Sequence, residues 1–298
     1  MKKNMKLSTT TEPFFQLFGY EEGIRTLAEI GYDALDMNLI TCIYNDEFSD
    51  SNLEATCAML LKTAKECGIY FNQAHAPFGG IYGTPDNEEG FAAVVRSMEI
   101  AAILGASIIV VHPCQHLNYA EYREELFAIN LDYYKRLIPY AERFGIKIAT
   151  ENMWQNNCGA RVPTDSVCSR SREFCRMVDE IGSPYLVGCL DIGHVSLMGA
   201  DIPAFIRAMG KERLRALHVH DTDFVSDLHT LPFLGKIDFA PICEALGEIG
   251  YEGDFTFEAG NFFKRMPVEL LPDAARMMYE TGRYLADGIE RARGGNGR

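Results

Sequence analysis

Residues 107–112 read SIIVVH, and the same form returns at 147–151 (KIATE), 186–191 (LVGCLD), 214–220 (LRALHVH) and 254–258 (DFTFE). Each is a short run of apolar and β-branched residues that closes on a histidine or a carboxylate. Runs apolar on both faces suit parallel strands covered by helices. Worked outward from these five, candidate strands end near Leu7, Asn38, His75, His112, Glu151, Asp191, His218 and Glu258. They lie roughly 27 to 40 residues apart, the length of one βα unit. The first is read as Met5–Leu7.

The gaps carry helix signals. Ser51 with Glu54 reads as a capping box, followed by a stripe of Leu53, Cys57, Leu60, Leu61 and Ala64 that Gly68 ends. The stretch after Asn87 places Phe91, Val94, Val95, Met98 and Ala102 on one face and stops at Gly105. Asp238 opens, and Gly250 closes, a helix with Pro241, Ile242, Leu246 and Ile249. Gly145 and Gly182 end two more. Eight alternating units without a G-x-G-x-x-G or a P-loop point to an α/β chain folded as a single (β/α)8 TIM barrel. Without a Pro-, Gly- or Ser-rich linker, residues 1–298 read as one domain, with a frayed tail expected from about Gly288.

The bulk numbers agree. The 298 residues, 47% hydrophobic and 23% charged, describe an ordinary globular chain that needs no staples. The formal net charge of −14 weighs against nucleic acid, whose phosphates are bound mainly by Lys and Arg. Nine scattered cysteines without a C-x-x-C pair read as reduced thiols of a cytoplasmic protein. The start, MKKNMKLSTTTEPFF, has no apolar run after its lysines, so neither a signal peptide nor a membrane span is expected.

In such a barrel the strand ends converge on one mouth. Glu151, Asp191, His218 and Glu258 each close a different late strand, and a mixed carboxylate and imidazole set suits Zn, Mn, Co or Mg. Burying bare carboxylates together is costly, and one divalent ion would satisfy three at once. His75, His112, His194, Asp227 and His229 fall at the same mouth. Trp154, three residues past Glu151, reads equally as core or as a substrate wall at that mouth. His220 is assigned to the opposite side of its strand unless the strand has ended before it, and His116 and Asp223 to solvated loops.

The motifs HAPF (75–78), VHP (111–113), a strand ending in EN (151–152), LDIGH (190–194), HVHD (218–221) and DLHTLP (227–232) occur in that order. Together they resemble the xylose isomerase-like barrel superfamily, which includes sugar isomerases and 3-epimerases, inosose dehydratases and nucleases of the endonuclease IV type. The resemblance runs from about His75 to Glu258. It implies an epimerase-type metal site at Glu151, Asp191, His218 and Glu258, the two glutamates being the acid and base, and substrate contacts from His194. The nuclease type implies a trinuclear zinc site whose further ligands fall on His75, His112, His194, Asp227 and His229. The segment ENMWQNN, the HVHD spelling and the missing basic surface depart from the nuclease pattern. Phe224 stands where the 3-epimerases carry an arginine.

The expected function is therefore a metal-dependent isomerase or epimerase of a small sugar or polyol derivative, working through a metal-stabilised enediolate. A dehydratase is a close variant. The alternative is a zinc-dependent phosphodiesterase acting on abasic DNA. The expected partners are a small sugar, with His75, His194 and Trp154 as contacts, and further copies of the chain. The acidic and aromatic loops TCIYNDEFSD (41–50) and GGIYGTPDNEEG (79–90) are expected to wall a neutral sugar.

Overall fold

The computed structural model describes residues 4–78, 87–156 and 162–295. Eight parallel strands form the barrel: β1 (Leu7–Thr10), β2 (Ala34–Asn38), β3 (Tyr70–His75), β4 (Ile108–Val110), β5 (Lys147–Glu151) and, after a short antiparallel hairpin of β6 (Trp154–Asn156) and β7 (Pro163–Asp165), β8 (Leu186–Asp191), β9 (Leu214–His218) and β10 (Phe255–Phe257). The barrel strands pair in chain order, and β10 pairs with β1. A parallel bridge between Val219 and Phe257 joins β9 to β10 and closes the ring.

Among the described residues, ten α-helices surround it: α1 (Phe14–Phe18), α2 (Tyr20–Ile30), α3 (Leu53–Cys67), α4 (Glu88–Ile103), α5 (Tyr119–Phe144), α6 (Ser171–Ile181), α7 (Ile192–Leu197), α8 (Ile202–Arg213), α9 (Ala240–Glu248) and α10 (Leu271–Gly295). No helix among the described residues is long and apolar enough to cross a membrane.

The main apolar core lies between strands and helices, with Leu35, Phe71, Ile109, Ile148, Leu190 and Leu217 facing outward from successive strands. A second, small cluster of Val110, Ala149, Val187, Cys189 and Ala216 fills one side of the barrel interior. Gly188 lets α6 and α8 approach β8, since a Cβ there would lie 2.5 Å from both Met209 and Phe174.

Several local expectations are corrected. The first strand runs Leu7–Thr10 and not Met5–Leu7. Its buried Ser8, Thr9 and Thr10 disguise it as polar, although threonine is a good strand former. The chain at Val111 stays extended, bonded to Ala149 O at 2.9 Å, so His112 lies just beyond β4. Ser51 does not cap α3: the first flanking residue is Asn52, without a side-chain cap, and Leu61 is exposed. Asp238 sits one residue early, bonding the Ala240 N–H at 3.1 Å. No frayed tail opens at Gly288: α10 continues to Gly295 and buries Ile289 against the fold. Asn87 caps α4 through the Gly90 N–H, and Gly68, Gly145 and Gly182 end their helices in the left-handed conformation.

Gly145, at φ 68°, has open space around it, so a side chain there meets only backbone strain. Gly145→Ala is expected to cost about 1–2 kcal/mol, read as a lower urea midpoint at unchanged slope. Asn, which tolerates this conformation better, should cost less.

Candidate metal centre and active site

Side chains two apart along a strand share a face. The inward row on each strand therefore runs from a filler residue to a chemically active one at the mouth. The pairs are Gln73 and His75, Val110 and His112, Ala149 and Glu151, Cys189 and Asp191, Ala216 and His218, Thr256 and Glu258. One period-two rule, applied to six strands, assembles the mouth.

Glu151, Asp191, His218 and Glu258 offer ligand atoms that all lie within 4.8 Å of one another. His218 Nδ1 is 3.4 Å from Glu151 Oε2 and 3.4 Å from Glu258 Oε2. Two further groups flank this one. His75 and His112 join Glu151, with His112 Nε2 3.1 Å from Glu151 Oε2 and the two imidazole nitrogens 3.1 Å apart. On the other side His194, His220, Asp227 and His229 converge. There Asp227 Oδ2 is 3.1 Å from His229 Nε2 and 3.4 Å from His194 Nε2.

The sequence match agrees with this arrangement: residues 24–281 match the family described as xylose isomerase-like TIM barrel. The chain belongs to that family. Among curated relatives, the inosose dehydratase of Lacticaseibacillus casei is 29% identical over 211 residues, 62% of this chain and 68% of its own. Among solved structures, a D-tagatose 3-epimerase-like protein superposes with a TM-score of 0.76 at 22% identity, covering 96% of this chain and 99% of its own. The IolI protein with a bound zinc atom superposes at 0.71 and 20% identity, covering 96% and 99%.

On this xylose isomerase-like barrel the mouth opens into a cavity of about 1130 Å³. Its deep end is the histidine and carboxylate cluster, and its outer wall includes Phe78, His116, Trp154 and Asn156. Trp154 thus lies on the wall, its Nε1 donating to Asp227 Oδ2 at 3.3 Å. His116 is an exposed loop residue, as expected, and its loop borders the cavity. None of residues 41–50 lines the cavity; they fold as two short 3₁₀ turns with Tyr44 exposed. Residues 79–86 of the second loop lie outside the described residues.

Three residues that the sequence reading passed over or misplaced belong to the site. His220 faces the mouth, not away from it: it is two residues from His218 and shares its face. Its Nε2 lies 3.0 Å from both oxygens of Asp191, and its ring stacks on His229 at 3.9 Å. Asn152 clamps Asp191 by accepting its N–H at 2.8 Å and donating to its carbonyl at 2.9 Å, while its own carbonyl lies 2.8 Å from His194 Nδ1. Asp221 accepts the N–H groups of Thr222, Phe233, Gly235 and Ile237 at 2.8–3.0 Å. Those bonds fold back the 222–237 loop that carries Asp227 and His229. Asp191 also fulfils its plainer role as helix cap, accepting the His194 N–H at 2.7 Å.

The donor set fits a divalent cation. Glu151 Oε2, His218 Nδ1 and Asp227 Oδ1 are buried and lack a hydrogen-bond partner. Polar atoms left so inside a fold carry a cost that a coordinated ion removes. The protein groups also drive the two glutamates apart. Burial would raise the Glu151 carboxyl, but His218 and His112 outweigh it and hold it well below the usual carboxylate range. Burial pushes Glu258 up to about 7, against the pull of His218 and His229.

Asp221→Ala is expected to destabilise the chain on the order of 3 kcal/mol, since four N–H groups lose a charged acceptor. Amide exchange should accelerate over 222–237 before elsewhere. Unchanged exchange in that loop would show that other contacts hold it.

Proposed function

We propose that this chain is a divalent-metal-dependent isomerase or epimerase of a small sugar or polyol derivative. The observation that carries the reading is the convergence of Glu151, Asp191, His218 and Glu258, from four strands, within 4.8 Å. These four would hold the ion, which supplies Lewis-acid polarisation of neighbouring carbonyl and hydroxyl oxygens. Zinc or manganese suits the set best, with cobalt or magnesium as weaker fits. The His75, His112, Glu151 group and the His194, Asp227, His229 group, joined by His220, offer positions for further ions.

The glutamates carry the proton. Glu151, ionised, removes one from the carbon next to the carbonyl. Glu258, across the cluster from it, would return a proton to the same carbon from the other side. His75, His194 and Trp154 sit where a sugar in the cavity would meet them, the tryptophan as an apolar wall and the histidines as hydroxyl partners. Loss of a hydroxyl next to the deprotonated carbon would make the same site a dehydratase, the activity named for the L. casei relative.

A second reading, phosphodiester hydrolysis on abasic DNA, draws on the two flanking groups that could hold further ions beside the first. The net charge of −14 opposes it.

Protein purified without chelator should carry at least one divalent ion per chain, and stripping it should lower the melting temperature, because a ligand of the native state stabilises that state. Metal-free protein that zinc, manganese or cobalt leaves unshifted would end the metal reading. On a substrate found in a panel of sugars and inososes, Glu151→Gln and Glu258→Gln should each lower turnover by about 10²–10⁴-fold with the fold retained. Wild-type turnover in Glu258→Gln at full metal content would remove the two-carboxylate mechanism. Binding to an abasic duplex at physiological salt should be weaker than micromolar, and tight binding with strand cleavage would favour the second reading.

A further inference from the structure

Asp36 takes no part in the chemistry above and belongs to none of the metal-capable groups among the described residues. It is a buried acid in the middle of β2, in the run ALDMN. Its Oδ2 lies 3.6 Å from His218 Nε2. The other ring nitrogen of the same histidine, Nδ1, faces Glu151 and Glu258, each at 3.4 Å. The imidazole therefore stands between two acidic neighbourhoods, one at the mouth and one deeper in the barrel.

What surrounds Asp36 gives this contact a direction. Gln73 Nε2 donates to Asp36 Oδ2 at 2.9 Å. Behind Gln73 runs a line of hydrogen bonds across the barrel: Ser8 Oγ to Asn72 Oδ1 at 2.8 Å, Asn72 Nδ2 to Thr256 Oγ1 at 3.1 Å, and Thr256 Oγ1 to Gln73 Oε1 at 3.4 Å. β1, β3 and β10 supply its members. Every link donates towards Asp36, so the line ends on an acceptor, and an ionised carboxylate only accepts. His218 Nε2, buried and without a hydrogen-bond partner, faces Oδ2 at 3.6 Å, and Asp36 Oδ1 is buried and unpartnered as well. Packing alone does not call for such an arrangement, since apolar residues would fill the interior without the cost of a buried charge.

We propose that Asp36 is the positioning residue for His218: it accepts the Nε2 proton, and so leaves the Nδ1 lone pair directed at the cluster formed with Glu151, Asp191 and Glu258. Fixing one imidazole nitrogen as donor to a carboxylate sets the tautomer, holds the ring plane and makes the other nitrogen a stronger ligand. Gln73 and the line behind it hold Asp36 in turn. The inference rests on the reading that His218 ligates a metal, and it adds which nitrogen does so and what orients it.

The test is zinc affinity of the full chain, measured by competition with a chromogenic chelator, for the wild type, Asp36→Asn, Asp36→Ala and Gln73→Leu. Asp36→Asn keeps the shape and an acceptor but loses the charge. It should weaken zinc about 10-fold, and Asp36→Ala closer to 100-fold. Gln73→Leu should fall short of either. The metal-free melting temperature of Asp36→Asn should be no lower than that of wild type, whereas a merely structural role would lower it together with the affinity. Imidazole ¹⁵N spectra of the zinc-loaded wild type, with His218 assigned by its substitution, need no Asp36 variant to fold and should place the remaining proton on Nε2. A wild type that binds no zinc removes the metal reading and this inference with it. Zinc bound as tightly by Asp36→Asn as by wild type, or a proton on Nδ1 of zinc-bound His218, overturns the role of Asp36 and leaves the metal reading standing.

Discussion

Glu151 and Asp191 are almost wholly buried at the end of adjacent strands, with Glu258 and Asp227 close by, in a chain whose net charge is already −14. Carboxylates do not stay ionised in such a place on their own. Even after relaxation each buried ion costs several kcal/mol, and neighbours of like sign add to that cost. The arrangement is tolerable because positive charge or bound protons sit among the carboxylates. Histidines supply part of it: His218, His112, His194 and His229 each lie within 3.5 Å of an acid in the cluster. The rest is what a divalent ion is suited to supply. The spacing and the unpartnered oxygens and nitrogens at the mouth are understandable only under this constraint.

The barrel meets the constraint by dividing its interior. Around β4, β5, β8 and β9 the inner row is small and apolar, with Val110, Ala149, Val187, Cys189 and Ala216 beneath the active residues. Around β1, β2, β3 and β10 it is polar, with Ser8, Asp36, Gln73 and Thr256 buried in mutual hydrogen bonds. The apolar half makes a dry floor on which charges interact strongly. The polar half reaches from below to the same histidine that the mouth uses. His218 thus stands between the two halves, its Nε2 3.6 Å from Asp36 Oδ2 and its Nδ1 3.4 Å from Glu151 Oε2.

The loops beyond the strands are held by equally specific bonds. Asn152 ties the end of β5 to the end of β8 through both backbone groups of Asp191, which fixes two acids relative to each other. Asp221 folds the 222–237 segment inward, and a Cβ at Gly235 would lie 2.3 Å from its carboxylate, so only glycine allows that closeness. Trp154 reaches from the β6–β7 hairpin to Asp227. The outer group of histidines is therefore part of a braced rim and not of a free loop. A rim so held suits chemistry that needs its groups in place before the substrate arrives.

Much of this could be read along the chain. Apolar runs closing on histidine or carboxylate at βα spacing predict the barrel, and the active residues of the late strands follow from where those runs end. These features are local, since periodicity and helix stops depend on neighbours in sequence. The first strand was ended three residues early, at Leu7 and not Thr10, because its threonines and serine read as polar, and nothing nearby shows that they face other strands. His220 was turned the wrong way by a misapplied period, although residues two apart share a face. Asp36 could not be found from sequence at all, and Asp221, although it stands in the HVHD motif, showed nothing of its bracing role. An acid within a strand and an acid after one look like ordinary polar positions until the ring closes and brings β2 opposite β9, or the 222–237 loop back over β9. The sequence by itself determined which residues stand at the mouth, because strand alternation is a rule of the single strand. Only the tertiary structure decided which of them meet, through which nitrogen or oxygen, and what braces them, because those contacts cross between strands distant in the chain.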